Sequence, residues 1–248
     1  MGKNTEDILM ASEILRKASS LLVLTGAGVS AESDIPTFRG DNGLWNKHNP
    51  EDLVSVDGFR RNPALVWEWH CSMRKLAMSS NPNAGHFAIA QLEREFFRDD
   101  NFLLITQNID DLHRRAGSEN IAEIHGNIFY ERCTKCAFRR RSEVIYDDVP
   151  LCPQCGSILR PDVVFFGEPL PEMEIAKSFS FAQKTDCILV VGTSGVVYPA
   201  AQIPYIVIEH GGKVIEVNKE ETPLTKYADV HISGESGTIL PEIVKTIR

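Results

Sequence analysis

The sequence predicts an α/β fold in which a doubly wound parallel sheet carries a smaller, discontinuous domain. Two observations predict the sheet. Short apolar runs such as 21–24 and 187–191 end at glycines or polar residues, as buried strands of parallel sheets do. Each later run follows a segment of helical length, and this alternation is typical of a Rossmann-like sheet. A third observation, that two stretches interrupt the alternation, predicts the smaller domain.

The elements of the sheet follow in chain order from the spacing of apolar residues. Ile8, Ile14 and Leu15 lie at roughly helical spacing and predict an amphipathic first helix over 5–18. The predicted strands are 21–24, 102–105, 187–191 and 213–217, and the helices predicted before the last three are 84–97, 173–183 and 200–210.

Two insertions interrupt this order. Residues 40–83 contain the three tryptophans among several prolines and asparagines, which predicts loops and helices. Residues 129–160 contain four cysteines and the basic run Arg139–Arg141. The basic run predicts a solvated surface, and binding of nucleic acid or of an acidic partner is the alternative. We therefore predict a doubly wound sheet domain made of 1–40, 84–128 and 161–248, and a small domain made of 41–83 and 129–160.

Composition limits the classes of function. The 248 residues are 43% apolar and 24% charged, as expected of a folded chain with one large core. The formal charge of −8 argues against constitutive binding to nucleic acid or to a membrane surface, both of which favour a basic face. The amino terminus lacks the apolar core of a signal peptide, and no apolar run reaches the roughly 20 residues of a membrane helix. We therefore expect a cytoplasmic protein.

The cysteines give a sharp chemical prediction. Cys133, Cys136, Cys152 and Cys155 form two CxxC pairs separated by fifteen residues, the spacing of a tetrahedral four-cysteine zinc site. Four thiolates leave no position for an activated water, so we expect one structural Zn²⁺ ion. Cys71 and Cys187 stand alone and are expected to be small buried apolar residues.

The first turn between a strand and a helix contains Gly26, Ala27 and Gly28. Glycines here let backbone N–H groups approach a pyrophosphate, and a tight turn that needs small residues is the alternative. The acidic residue expected about 20 residues later in a dinucleotide fingerprint is missing. A dinucleotide bound here is therefore not expected to be held as in an ordinary dehydrogenase.

Further polar residues follow the later strands, where open sheets collect ligands. Thr106–Asp110 follows the second strand, Gly192–Ser194 and Asn218 follow two others, and these are candidate ligand contacts. His125 is a candidate general base if it shares a pocket with a nucleotide, and otherwise an ordinary satisfied histidine. The run 163–166 is either buried core or a binding segment.

In chain order, these residues resemble the sirtuins, the NAD-dependent protein-lysine deacylases, and compact bacterial and archaeal members above all. The matching segments span nearly the whole chain. They are Gly26-Ala-Gly-Val-Ser30-Ala-Glu-Ser33, Ile35-Pro-Thr-Phe-Arg39-Gly40, Thr106-Gln-Asn-Ile-Asp110, His113-Arg-Arg-Ala-Gly117, His125-Gly126, the two CxxC pairs, Arg160-Pro161, Val164-Phe-Phe-Gly-Glu168, Gly192-Thr-Ser194 and Val197-Tyr-Pro-Ala200.

The resemblance implies NAD as a co-substrate and assigns roles by position. The residues implied at the pyrophosphate and the adenosine half are Gly26, Ala27, Gly28, Gly192, Thr193, Ser194, Asn218, Lys219, Glu220 and Ser236. Those implied at the nicotinamide and its ribose are Ser30, Phe38, Arg39, Gln107, Asn108, Ile109 and Asp110, with His125 and Asn108 catalytic. Those implied to pair with the substrate backbone as an added strand are Val163, Val164, Phe165, Phe166, Gly167 and Glu168.

Three departures from the family pattern bear on function. Asp34 replaces a common glycine, and Gly195 replaces a common larger residue. His70 and Met73 occupy the positions where sirtuins that remove succinyl or malonyl groups carry Tyr-x-x-Arg. A thioether cannot hold a carboxylate as a guanidinium does. We therefore expect deacetylation and weak desuccinylation, although an alignment shifted by one residue brings Arg74 into this position.

Three other functions remain as alternatives. Removal of longer apolar acyl groups and mono-ADP-ribosyl transfer would use the same NAD pocket. A zinc-ribbon module that binds nucleic acid through Arg139–Arg141 would not need the polar cluster at 107–110, and the net charge opposes it. The expected partners are acyl-lysine proteins, such as chromatin proteins or metabolic enzymes, with no membrane and no direct nucleic-acid partner.

Overall fold

A computed structural model describes residues 3–38, 43–46 and 49–248 of the chain. Nine strands form two sheets in this part of the chain. The strands are β1 (Leu21–Thr25), β2 (Phe102–Thr106), β3 (Ile121–Glu123), β4 (Gly126–Cys133), β5 (Arg139–Arg141), β6 (Leu159–Val163), β7 (Cys187–Val191), β8 (Lys213–Asn218) and β9 (Val230–Ser233).

Nine α-helices accompany them in the described ranges. They are α1 (Lys3–Lys17), α2 (Pro50–Leu53), α3 (Val56–Arg61), α4 (Pro63–Ser79), α5 (Ala84–Glu95), α6 (Leu112–Arg115), α7 (Glu172–Ala182), α8 (Ile203–Glu209) and α9 (Ser236–Ile247). Among these helices, none combines the length and the apolar character needed to cross a bilayer.

The larger sheet has six parallel strands in the order β3-β2-β1-β7-β8-β9. After β1, the chain forms β2 and β3 on one side of β1, and it later forms β7, β8 and β9 on the other side. The direction of winding therefore changes between β1 and β7, and such a switch point opens a crevice at the carboxyl ends of the strands.

Both faces of this sheet are buried, which explains the continuous apolar runs in the sequence. Leu21 and Val23 of β1 pack into one core with α1, α5 and α9. Leu22 and Leu24 point to the opposite face and pack into a second core with α7 and α8. The predicted doubly wound parallel sheet is thereby confirmed.

The smaller sheet is antiparallel, in the order β5-β4-β6, and packs with the helices of the first insertion. The indole N–H of Trp67 on α4 donates to the carbonyl of Leu159 on β6 at 2.8 Å. This sheet begins at Gly126 and ends at Val163, three residues outside the predicted 129–160 segment at each end. The predicted division of the chain into two domains remains a prediction.

Candidate active site

The crevice is built on a close crossing of two glycine-containing turns, after β1 and after β7. The N–H of Gly28 donates to the carbonyl of Gly192 at 2.8 Å. A Cβ atom on Gly28 would lie 2.7 Å from the Cα atom of Gly192, which no real Cβ contact allows. Glycine is therefore required at position 28, because the two backbones lie in direct contact. After Gly26, the chain continues as a 3₁₀ segment, Ala27–Ser33.

The 3₁₀ segment ends at Asp34, the residue that replaces a glycine common in the family pattern. Asp34 adopts the left-handed conformation, with φ 63° and ψ 18°. Aspartate is one of the few non-glycine residues that visit this region routinely, although at some cost in backbone strain. The substitution thus keeps the backbone conformation that glycine favours. Gly195, the other departure, also has a positive φ, 67°.

Three of the predicted site residues form a buried hydrogen-bonded cluster at the bottom of the crevice. The Ser30 hydroxyl donates to Oδ2 of Asp110 at 2.7 Å, and Nδ2 of Asn108 donates to the same hydroxyl at 3.1 Å. Burial raises the pKa of Asp110, although hydrogen bonds from the Leu112 N–H and from Ser30 oppose the rise. The cluster presents an amide and a carboxyl group in a dry environment.

His86 belongs to the same cluster and was missed by sequence reasoning. Its Nδ1 accepts the N–H of Asn83 at 3.3 Å in a capping box at the start of α5, which places the proton on Nε2. That Nε2 lies 3.3 Å from the Ser30 hydroxyl. Burial lowers the pKa of His86 to about 4, so the ring is neutral and donates to Ser30. The only sequence signal for this residue was the Asn-x-x-His cap.

His125 follows β3, and a hydrogen bond holds one of its two ring nitrogens while the other can accept a proton. Its Nδ1 lies 3.0 Å from the carbonyl oxygen of Gln107, which can only accept, so Nδ1 carries the proton. Burial lowers the pKa of His125, and the hydrogen bond to Gln107 opposes the decrease. The ring is therefore held as a neutral imidazole with the Nε2 lone pair free to accept a proton.

Side-chain hydrogen bonds tie together the loops that follow β2, β7 and β8. Nε2 of Gln107 donates to the Thr193 hydroxyl at 2.9 Å. Nδ2 of Asn218 donates to the carbonyl of Thr193, also at 2.9 Å. All three were predicted as ligand contacts that follow strand ends, and hydrogen bonds bring them together at the carboxyl edge of the sheet.

The remaining predicted cofactor residues lie around this edge. Ser236 is buried at the start of α9, where its hydroxyl and the N–H of Gly237 both donate to Glu32, at 2.9 and 2.8 Å. Glu32 was not predicted. Ser194, Lys219 and Glu220 are exposed, and Arg39 lies outside the described residues.

One cavity lies between the buried cluster and α4. Ser30, Asn108 and Asp110 line its polar side, and its apolar wall includes Phe38 and Met73. Arg74, the next residue of α4, is fully buried elsewhere: its guanidinium donates to the carbonyls of Ile128 and Val144. The structure thus places the thioether at the cavity, whereas the guanidinium bonds to two backbone carbonyls through Nε and Nη1 and its Nη2 is buried with no hydrogen-bond partner among the described residues.

The segment predicted to pair with a substrate continues from β6. Burial alternates along it: Val163 and Phe165 are buried, whereas Phe166 is 52% exposed. On one edge, the N–H of Phe166 donates to the carbonyl of Val54 at 2.7 Å, and its carbonyl accepts the N–H of Val56 at 3.3 Å. Phe166 is therefore paired on one edge, and the chain turns at Gly167, after which the N–H of Glu168 donates to the carbonyl of Phe165 at 3.0 Å.

An ion pair fixes the end of this segment. The Arg160 guanidinium lies over the ring of Phe165, 3.8 Å from its centroid, and donates to both oxygens of Glu168, at 2.5 and 3.0 Å. The Phe165 N–H donates to the same carboxylate at 2.9 Å. Glu168, predicted to contact a substrate, thus bonds mainly to its own chain.

His70 and an aromatic column lie between the cavity and the substrate segment. The His70 ring is 1% exposed and lies 5.7 Å from the Phe165 ring, measured between centroids. Trp45 stacks between Phe38 and Trp69, with centroid distances of 5.1 and 5.9 Å. This column of three stacked rings therefore connects Phe38 to Trp69 on α4.

The four paired cysteines meet in the small domain, as predicted. Their sulfur atoms lie within 4.8 Å of one another, with Cys133 to Cys155 at 3.5 Å and Cys136 to Cys152 at 3.6 Å. Tetrahedral zinc thiolates at about 2.3 Å place sulfurs about 3.8 Å apart. The donor set therefore fits a zinc ion, whereas the isolated Cys71 and Cys187 are buried.

The basic run forms the edge strand β5 rather than a free cationic patch. Arg139 pairs with Asp162, Arg140 with Glu131 and Arg141 with Asp111, at N···O distances of 2.5–2.9 Å. Each guanidinium also lies over an aromatic ring. The three guanidinium groups are therefore each paired with a carboxylate of this chain.

Comparison with known proteins decides the family. Residues 26–199 match the Sir2 family. The chain belongs to this family. An NAD-dependent protein deacylase of Pyrococcus abyssi is 50% identical over 97% of this chain and 98% of its own length. The predicted class of enzyme, an NAD-dependent protein deacylase, is thereby confirmed.

Solved sirtuin structures agree over the whole fold. A Sir2 homologue in complex with NAD superimposes with a TM-score of 0.91 at 43% identity, covering 96% of this chain and 93% of that one. A histidine-to-alanine Sir2 variant with a deacetylated p53 peptide and 3′-O-acetyl ADP-ribose gives a TM-score of 0.85 at 33% identity, covering 94% and 96%. The predicted α/β fold with its four-cysteine module is confirmed.

Proposed function

We propose that the protein removes acetyl groups from lysine side chains and consumes NAD in doing so. One observation carries the proposal: Ser30, Asn108 and Asp110 share a single cavity with the apolar side chain of Met73. The polar side suits the carboxamide of nicotinamide, and the apolar side suits a short acyl chain. The Sir2 homologues bound to NAD and to a deacetylated peptide support both assignments.

The reaction starts where the two substrates meet. The carbonyl oxygen of the acyl-lysine attacks C1′ of the nicotinamide ribose, and nicotinamide leaves with the electron pair of the C1′–N bond. Asn108 and Asp110 hold the leaving nicotinamide in a dry pocket, where fixed dipoles stabilise developing charge better than water does. The chain's contribution to this step is orientation and the exclusion of water.

His125 acts in the second step. The first step leaves an imidate, in which the acyl oxygen is bonded to C1′ of the ribose. Nε2 of His125 takes a proton from the ribose hydroxyl groups, so that the 2′-oxygen attacks the acyl carbon of this imidate. Because Nδ1 donates to the carbonyl of Gln107, the lone pair of Nε2 has a fixed direction. With one water consumed, acyl-lysine and NAD give free lysine, nicotinamide and 2′-O-acyl-ADP-ribose.

The peptide binds along the free edge of the segment 163–168. Neighbouring residues of an extended strand direct their backbone groups to opposite edges. Phe166 pairs with Val54 and Val56 on one edge, and the N–H and carbonyl of Phe165 both bond to Glu168. The backbone groups of Gly167 are therefore the ones we assign to pairing with the peptide. Pairing through the backbone explains recognition of many protein sequences by one site.

The acyl preference follows from the absence of a free cation among the described residues that line the cavity. Met73 lies at the wall, and Arg74 donates to two backbone carbonyls. A succinyl carboxylate would be desolvated without a partner, which is costly. We expect kcat/KM for an acetylated peptide to exceed that for its succinylated form at least tenfold, and a preference for succinyl would overturn this assignment.

Zinc has a structural role in this proposal. Cys133, Cys136, Cys152 and Cys155 would hold one Zn²⁺ ion through four thiolates, which closes its coordination shell. The ion supplies folding energy to the small domain, and no step of the reaction passes through it.

Product analysis separates this function from its alternatives. Incubation with NAD and an acetyl-lysine peptide yields 2′-O-acetyl-ADP-ribose and nicotinamide from a deacetylase. Mono-ADP-ribosyl transfer would instead label the protein substrate. A panel of saturated acyl chains of increasing length shows whether a longer chain is the main substrate.

A further inference from the structure

A buried aspartate with a strained backbone lies directly after the residues assigned to nicotinamide. Asp111 is 6% exposed and adopts φ 67° and ψ 3°, in the left-handed region. Residues with a Cβ atom adopt this conformation at an energetic cost and keep it only where surrounding contacts hold them. Strained residues of this kind cluster at functional sites, and Asp111 is bonded through its backbone to Asp110 of the buried cluster.

Two side chains from the small sheet hold the Asp111 carboxylate. Nδ2 of Asn127 on β4 donates to Oδ1 at 2.8 Å, and the guanidinium of Arg141 on β5 donates to Oδ2 at 2.9 Å. The Asp111 side chain is 3% exposed, whereas that of Arg141 is 43% exposed. The ion pair thus connects a buried charge to the last residue of the basic run, a sequence feature to which the proposed function gives no role.

The backbone of Asp111 controls a hydrogen bond inside the buried cluster. The N–H of Leu112 donates to Oδ1 of Asp110 at 2.9 Å. This N–H belongs to the peptide group that follows Asp111, so the φ and ψ angles of Asp111 set its direction. The other oxygen of Asp110 accepts the hydroxyl of Ser30 at 2.7 Å. A change of backbone conformation at Asp111 would turn the N–H away and leave the Asp110 carboxyl free to rotate.

We propose that Arg141 is a positioning residue for the nicotinamide pocket. Its ion pair holds Asp111 in the left-handed conformation, which keeps the Leu112 N–H on Asp110. This inference rests on the proposed function, in which Asn108 and Asp110 hold the nicotinamide. Arg141 acts through Asp111 and takes no part in bond making or proton transfer.

The variant Arg141→Met tests the ion pair. Methionine keeps an unbranched side chain beside the Phe129 ring but carries no charge. The buried Asp111 carboxylate then lacks its counterion, and a backbone conformation that brings it nearer to water becomes more favourable. Loss of the left-handed conformer should weaken the binding of nicotinamide about fivefold or more.

Arg139→Met is the matched control on the same strand. Arg139 lies over the ring of Tyr130, as Arg141 also does, and its carboxylate partner is Asp162 on β6. The Arg139 side chain is 54% exposed, and its pair does not involve the loop that contains Asp110. Arg139→Met should therefore change the affinity for nicotinamide by less than about twofold.

Two measurements report on the pocket. Added nicotinamide inhibits deacetylation as a product, and its inhibition constant is compared between variants. Calorimetric titration of the ADP-ribose-loaded enzyme with nicotinamide gives an affinity that needs no turnover. In Arg141→Met, kcat should also fall, because the leaving group is less well oriented, whereas KM for the acetylated peptide should stay within about twofold of wild type. A merely structural role would lower Tm and leave the affinity for nicotinamide unchanged.

Two substitutions of Asp111 separate positioning from general destabilisation. Asp111→Gly adopts the left-handed conformation without a steric cost and without the ion pair, whereas Asp111→Ala lacks both the pair and this freedom. Asp111→Gly should keep the affinity for nicotinamide within about threefold of wild type, and Asp111→Ala should lose about tenfold. Adding Asp111→Gly to Arg141→Met should restore most of the lost affinity. The two variants of Asp111 keep the inference testable if Arg141→Met fails to fold.

The outcomes distinguish this inference from the proposed function. Equal affinity for nicotinamide in Arg141→Met and Arg139→Met would overturn the inference, as would equal affinity in Asp111→Gly and Asp111→Ala. If wild type deacetylates the peptide in either of these cases, the proposed function stands. If wild type turns over no acetylated peptide, the proposed function is wrong, while the calorimetric titration still tests Arg141. Absence of nicotinamide binding to wild type would overturn both.

Discussion

Replacement of Glu168 by glutamine tests whether the ion pair beside the substrate segment stabilises the fold. The carboxylate accepts two hydrogen bonds from Arg160, one from Arg132 and one from the Phe165 N–H. The side chains of Arg160 and Glu168 are 9% and 19% exposed, so Glu168→Gln leaves a largely buried guanidinium without its counterion. Breaking a buried ion pair costs about 3–5 kcal/mol. We expect about 3 kcal/mol here, because both side chains keep some contact with water and the amide oxygen of the new glutamine can still accept a hydrogen bond from Arg160.

Thermal unfolding measures this loss. For a chain of this size, about 3 kcal/mol corresponds to a decrease of Tm by about 6–12 °C at pH 7. Glu242→Gln is the matched control, because its pair with Lys245 is exposed on both sides and its Tm should change by less than about 2 °C. A comparable Tm for Glu168→Gln and Glu242→Gln would refute the reasoning.

The pH dependence gives a second check on the same variant. Burial alone would raise the pKa of Glu168, but the hydrogen bonds from Arg160 and Phe165 outweigh it and lower the pKa. A carboxyl group with a lowered pKa in the folded state stabilises the fold above its unfolded pKa of about 4.3. This stability is lost as pH falls through the folded pKa. The Tm difference between wild type and Glu168→Gln should therefore shrink below about pH 4, and a constant difference would contradict this account.

Other predictions address catalysis and metal binding. His125→Ala should reduce deacetylation by at least about 10²-fold with unchanged Tm and zinc content, and near-normal kcat would remove it as the base. Because burial lowers the pKa of His125, kcat/KM for wild type should decline only below about pH 6.5, and a decline centred well above this value would contradict the neutral ring. Cys133→Ala should lose zinc and lower Tm, whereas Cys187→Ala should retain zinc. Full zinc stoichiometry in Cys133→Ala would disprove the four-cysteine site.

The sheet could largely be predicted from sequence because its central strands are buried on both faces. All five residues of β1 and of β7 are buried, which produces the continuous apolar runs. The two strands missed, β3 and β9, form the edges of the sheet. Edge strands are short and tolerate polar residues such as His231, so they lack a continuous apolar run.

The candidate site was predictable where a motif places residues next to a strand end. Ser30, Asn108 and Asp110 meet as expected, since the carboxyl ends of parallel strands share one edge. His86 could not be found in this way, because it comes from α5, 56 residues from Ser30 along the chain. The bonds from Arg160 and Phe165 to Glu168 likewise depend on the path of the chain after β6, which the spacing of residues in the sequence does not reveal.

The tryptophans give the enzyme two built-in optical probes. Trp45 and Trp69 stack at 5.9 Å with 22° between their planes, on the column that reaches Phe38. Trp67 instead bonds to Leu159 beside the cysteine module. Coupled emission and near-ultraviolet dichroism of the stacked pair should therefore respond to nucleotide, whereas Trp67 responds to metal. In the Trp67→Phe variant, the emission of Trp45 and Trp69 would report ligand binding in real time without an added label, and it would not contain the Trp67 signal that reports unfolding around the cysteine module.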